Sequence, residues 1–120
     1  MAYTFSFEKL NVWKESVLLV KNIYKLTKDF PSDEKFGLTS QLRRASVSIS
    51  SNIAEGTSRS TNKDKAHFTT IAFSSTMEVL NQLIIAKELE FITEENYKET
   101  RIQIYKISNM LNALRKAQLK

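Results

Sequence analysis

Pro31, Gly37 and Gly56 are the only proline and glycines in 120 residues, and their scarcity limits what this chain can become. Sandwiches and barrels need many tight turns, which draw on Gly and Pro. Three such residues leave long uninterrupted segments that only helices fill well. Phe30-Pro31 ends the first segment, because the residue before proline avoids the α region. Pro31-Ser-Asp-Glu can start a further short turn. Gly37 then resets the direction, and Thr39 or Ser40 is a plausible cap for the second helix. The small polar run Thr57–Thr61 after Gly56 is the next break, where Thr61-Asn-Lys-Asp64 resembles a capping box with Asp in place of Glu. Phe91-Ile92-Thr93 is a short corner in which Thr93 can cap the last helix, with Glu94 and Glu95 favoured in its first turn by the helix dipole.

Apolar residues between these breaks recur at steps of three and four, so each segment reads as an amphipathic helix. The spacing predicts helices near 8–29, 38–59, 62–89 and 93–118. In the first, Leu10, Trp13, Val17, Val20, Tyr24 and Thr27 form the stripe, widened by Leu18, Ile23, Leu26 and Phe30. In the third, Phe68, Ala72, Ser75, Val79, Leu83 and Ala86 do so, and Ser74-Ser75-Thr76 keeps its middle narrow for close packing on the second. The fourth uses Tyr97, Ile104, Ile107, Leu111 and Leu114. Short connections between helices of similar length predict an all-α, antiparallel up-down-up-down four-helix bundle in one domain, residues 1–120. Buried positions should include Leu42, Ile49, Ile53, Phe68, Ala72, Leu83, Ile104 and Leu111. Residues 1–7 form an N-terminal arm, with Tyr3, Phe5 and Phe7 alternating as in extended chain.

The second helix is unusual. Leu38, Leu42, Ala45, Ile49, Ile53 and Gly56 make one apolar stripe, while Arg44, Ser48, Ser51 and Glu55 make a second, roughly 160° away. Asn52 lies between the two. Small polar residues let a neighbour approach closely, so this helix is expected to pack on two sides. The bland alternative is a Ser-rich exposed face. Arg44 and Glu55 are about 16 Å apart along the helix and cannot pair with each other. They and Ser48, Ser51 and Asn52 are therefore expected at the subunit interface of a cyclic homo-oligomer; the competing possibility is a polar seam within one chain.

The chain carries a formal net charge of +5, and 42% of its residues are hydrophobic. The basic excess falls in residues 38–61 and 93–120. Candidate phosphate contacts are Arg59, Lys63 and Lys65 near the turn between the second and third helices, and Arg115, Lys116 and Lys120 at the C-terminal end. Arg115, Lys116 and Lys120 can equally complement the helix dipole. The two clusters are expected at opposite ends of the bundle. Cysteine is absent, which removes disulfides and thiolate metal sites and fits a reducing compartment. No run of about 18 apolar residues exists for a membrane span, and the N-terminus lacks a signal-peptide pattern, so a cytoplasmic protein is expected.

An enzyme needs placed groups. His67 is the single histidine, no glycine-rich phosphate loop or nucleophile motif occurs, and no Glu-x-x-His pair is present for a bundle metal site. No catalytic residue, cofactor or metal is expected.

Specific residue runs carry a family resemblance. They are Leu10-Asn-Val-Trp13, Phe30-Pro31 with Glu34 and Phe36-Gly37-Leu38, Gln41-Leu42-Arg43-Arg44-Ala45, Ser48-Ile49 and Asn52-Ile53-Ala54-Glu55-Gly56. Their order and spacing resemble the four-helix-bundle proteins encoded in intervening sequences of bacterial 23S ribosomal RNA genes. The resemblance covers nearly the whole chain, and it implies a four-helix bundle and a homopentameric ring. A similar fold occurs in the accessory variability determinant of diversity-generating retroelements, a basic pentamer that contacts nucleic acid and a reverse transcriptase. The family supplies no catalytic residues to carry over. Two functions follow as expectations: an oligomeric accessory protein that binds RNA or DNA, or a scaffold that binds a protein partner.

Overall fold

The computed structural model describes residues 3–120. Four helices, α1 (Asn11–Thr27), α2 (Leu38–Thr57), α3 (Asn62–Glu88) and α4 (Glu94–Gln118), carry the fold, with 3-10 turns at Ser6–Lys9 and Ser32–Glu34. Each helix packs against two others around a square, α1 on α2, α2 on α3, α3 on α4 and α4 on α1; the diagonal pairs do not approach. The architecture is the expected all-α, up-down-up-down bundle.

Local chemistry sets the boundaries. Thr61 caps α3 by accepting from the Asp64 N–H at 3.1 Å, and Thr93 caps α4 by accepting from the Asn96 N–H at 3.1 Å. The start of α2 differs from expectation. Its N-cap is Gly37, and Thr39 and Ser40 lie inside the first turn. Glu34 supplies the missing acceptor from the preceding turn, taking the Leu38 N–H on Oε1 at 3.0 Å. Between α3 and α4 the chain reverses at Glu90, whose φ of 63° is left-handed. The Phe91 N–H returns to the Ala86 carbonyl at 2.9 Å and satisfies an end carbonyl of α3.

A single core cluster joins Leu19 and Ile23 of α1, Leu42, Ile49 and Ile53 of α2, Ala72, Val79 and Leu83 of α3, and Ile104, Ile107 and Leu111 of α4. Phe30 and Phe91, 5.4 Å apart between centroids, close one end of it. Two expectations about burial fail. Phe68 is half-buried at the rim, not in the core. In α1 the buried row is Val12, Ser16, Leu19, Ile23 and Thr27, while Leu18 and Tyr24 face solvent. The cause is hydroxyl chemistry. Ser16 and Thr27 donate to the carbonyls of Trp13 and Ile23 within their own helix, so they enter the core with no unsatisfied donor. The arm differs too: Ser6–Lys9 is a tight turn, and Phe7 sets its ring edge-on to Trp13 at 5.2 Å while Tyr3 and Phe5 remain exposed. Residues 1 and 2 of the expected arm lie outside the described residues.

The α2–α3 seam is the most extensive. Gly56 is what lets its lower end close: a Cβ there would lie 3.0 Å from the Phe68 Cβ. Higher up, the Ser48 and Ser75 hydroxyls share a hydrogen bond at 2.9 Å, as the narrow middle of α3 implied.

Candidate nucleic-acid interface

Alternating chain direction fixes which helix ends share a pole. The end of α2, the start of α3 and the end of α4 meet at one pole of the bundle. The basic clusters were expected at opposite ends, and the structure corrects this. The Arg115 Nε donates to Thr70 Oγ1 at 3.0 Å, and Thr69 Oγ1 donates to Gln118 Oε1 at 2.6 Å, which ties the last turns of α4 to the first turns of α3. Arg59, Lys63 and Lys65 therefore share a pole with Arg115, Lys116 and Lys120.

Five of these six cations are exposed and Lys65 is half-buried. The ion pairs among the described residues join Lys87 to Glu94 and Lys106 to Glu15, so none of the six is neutralised by one. Two of them are positioned. The Arg59 guanidinium lies over the Phe68 ring at 5.1 Å from its centroid, and Arg115 is held by Thr70. Beside Arg115, between α3 and α4, opens a cleft of about 220 Å³, lined by Thr69, Thr70, Phe73, Leu111, Asn112 and Arg115. Glu55 and Asp64 are the acidic residues of the adjoining turns, and Asp64 is spoken for electrostatically by the N-terminus of α3. The α4 C-terminus offsets roughly half an elementary charge, well short of the cations gathered here. The arrangement suits phosphates, which need several mobile or forked donors and little shape.

Sequence spacing missed the side chains that do the positioning. Phe68 read as core, and Thr70 was not singled out. Their partners lie 9 and 45 residues away, and no periodicity links such pairs.

The α2 polar stripe divides in two. Ser48 and Asn52 are half-buried and satisfied within the chain, since the Asn52 Nδ2 donates to the Ser48 carbonyl at 2.8 Å and to its hydroxyl at 3.1 Å. They form the intrachain polar seam. Arg44, Ser51 and Glu55 are exposed. No group of three or more His, Asp or Glu side chains among the described residues could hold a metal ion. No helix among them is long and apolar enough to cross a membrane.

These features define a class: an antiparallel four-helix-bundle protein with one basic pole. The chain belongs to the 23S rRNA-intervening sequence protein family, whose model it matches over residues 8–113. It is similar in fold to a protein of unknown function from the S23 ribosomal protein family of Bacteroides thetaiotaomicron VPI-5482. That crystal structure superposes with a TM-score of 0.79 at 24% identity, covering 88% of this chain and 98% of the other. Among curated proteins, none matches this chain.

Proposed function

We propose that this protein is a non-enzymatic accessory protein that binds RNA through its basic pole and works as a homo-oligomer. The observation that carries the reading is the convergence of Arg59, Lys63, Lys65, Arg115, Lys116 and Lys120 on one pole, with no ion pair among the described residues to neutralise them. Six such side chains give a weak contact alone, and several copies side by side multiply it. Two outward faces support assembly. On α2, Val47, Ser51 and Glu55 offer a shallow exposed surface; on α4, Ile102 and Tyr105 stand 70% and 68% exposed. The two helices are diagonal in the bundle, so their outer faces point away from each other, as a head-to-tail ring requires. A pentamer is the ring that the family resemblance favours.

The test is salt-dependent binding of RNA followed by fluorescence anisotropy. If each of the six cations meets one phosphate of a single strand, log K should fall with log[salt] at a slope of about −4. Lys63→Glu with Arg115→Glu should flatten that slope and weaken binding to every RNA alike. A protein that binds no RNA at low salt is instead the scaffold for a protein partner.

A further inference from the structure

The other pole of α2 holds a second, larger recess with different chemistry. The Lys35-Phe36-Gly37 turn leads into α2 and leaves the Phe36 ring 89% exposed, the largest exposure among the large hydrophobic side chains. Beside it lies a cleft of about 300 Å³ lined by Tyr24, Lys35, Phe36, Thr39, Arg43 and Arg44 together with Ser40. It combines three cations, two aromatic rings and hydroxyls, and no carboxylate lines it.

The cations are not equivalent. Arg43 is fixed: its guanidinium lies 4.5 Å from the Tyr24 ring centroid, and its Nε donates to Thr27 Oγ1 at 2.8 Å. It stiffens one wall and adds a steady positive field. Lys35 and Arg44 are exposed and belong to neither ion pair among the described residues, and the Lys35 ammonium lies over one face of the Phe36 ring, 5.5 Å from its centroid. Thr39 is 9% exposed, lines the cleft, and its hydroxyl enters none of the side-chain hydrogen bonds found there. That hydroxyl is open to the recess and free to meet a ligand.

We propose that this cleft takes one unpaired nucleotide of a single-stranded RNA. The base stacks on Phe36, Lys35 and Arg44 hold the adjoining phosphate, and Thr39 meets a sugar or base edge. A flat, uncharged ring wants a stacking partner, and an exposed Phe beside cations supplies the pairing that unpaired bases use. A duplex keeps its bases inside and cannot reach Phe36. An acidic peptide would satisfy the cations and leave the ring in water. The volume lies at the lower end of ligand sites, the size of one nucleotide unit. The inference rests on the RNA reading above but uses different residues: α2 is about 30 Å long, which separates the cleft from the basic pole.

The test compares a short uridine-rich single strand with a duplex of equal length by anisotropy, in wild type, Phe36→Ala, Phe36→Trp and Arg44→Glu. Phe36 is too exposed for its truncation to disturb the core, and circular dichroism checks this. Phe36→Ala should weaken single-strand binding about tenfold, leave duplex binding and the salt slope unchanged, and be rescued by Phe36→Trp. Arg44→Glu should weaken single-strand binding and flatten the salt slope. Unchanged single-strand affinity in Phe36→Ala overturns the proposal, as does an equal loss on strand and duplex. If binding still collapses on Lys63→Glu with Arg115→Glu while Phe36→Ala has no effect, the cleft assignment fails alone. If wild type binds no RNA, both readings fail. Saturation of the cleft by free uridine 5′-monophosphate, with no Phe36-dependent strand binding, reassigns it to a free nucleotide and overturns the strand proposal.

Discussion

Gly56→Ala tests how tightly α2 and α3 are sewn together. A Cβ at position 56 would sit 3.0 Å from the Phe68 Cβ and 3.5 Å from the Lys65 carbonyl oxygen. The second contact is ordinary, but the Phe68 Cβ is fixed to the α3 backbone and cannot rotate aside, so the helices must part by a few tenths of an ångström. Overpacking of this kind costs about 1–3 kcal/mol. Alanine returns at most about 1 kcal/mol of helix propensity, and less so near a helix end. The net expectation is a loss of about 1 kcal/mol, read as a lower urea midpoint at constant m and a melting temperature lower by about 4 °C. A double-mutant cycle isolates the cause. Phe68→Ala keeps the offending Cβ, so Gly56→Ala should remain destabilising in that background. Phe68→Gly removes it, and there Gly56→Ala should become neutral or stabilising. A Gly56→Ala protein that is more stable than wild type would refute the close-approach argument.

Ile49 is fully buried at the α2 centre, so Ile49→Ala should cost about 2–5 kcal/mol in denaturant unfolding. Thr93→Ala removes the cap on the Asn96 N–H and should cost about 1 kcal/mol in the same assay. Glu90 holds a left-handed φ of 63°, so Glu90→Gly should leave the fold unchanged and raise stability by about 0.5 kcal/mol, less than the full left-handed penalty because Gly also loosens the unfolded chain. Light scattering on wild type and on Glu55→Arg tests assembly through the α2 face: a ring should dissociate into folded smaller species, whereas a wild type that is monomeric at tens of micromolar removes the interface.

Helix number and breaks were legible because they rest on local chemistry. Pro31, Thr61 and Thr93 act on their own neighbours, and most of the buried rows of α3 and α4 followed from spacing, Phe68 and Leu114 apart. The α1 stripe was misjudged because Ser16 reads as polar, yet its hydroxyl is satisfied by Trp13 before it meets the core. The α2 cap was misplaced because its acceptor, Glu34, stands outside the helix it serves. The α2 polar stripe was visible, but its division between Ser48 and Asn52 inside and Arg44, Ser51 and Glu55 outside depends on where Ser75 sits across the seam.

By itself the sequence determined that this chain forms four amphipathic helices with short connections, since turn residues and 3.6-residue periodicity act within a few positions of each other. Tertiary structure decided which residues could act together. Arg115 met Thr70 only once α3 and α4 had packed antiparallel, and Arg59 met the Phe68 ring only once the chain had turned from α2 into α3. The gathering of six cations on one pole, and of Phe36 with Lys35 and Arg44 beside the other, is a property of helix ends brought into register by a shared core. Pairing across such distances is selected by burial and chain direction, and neither leaves a local signature in the order of residues.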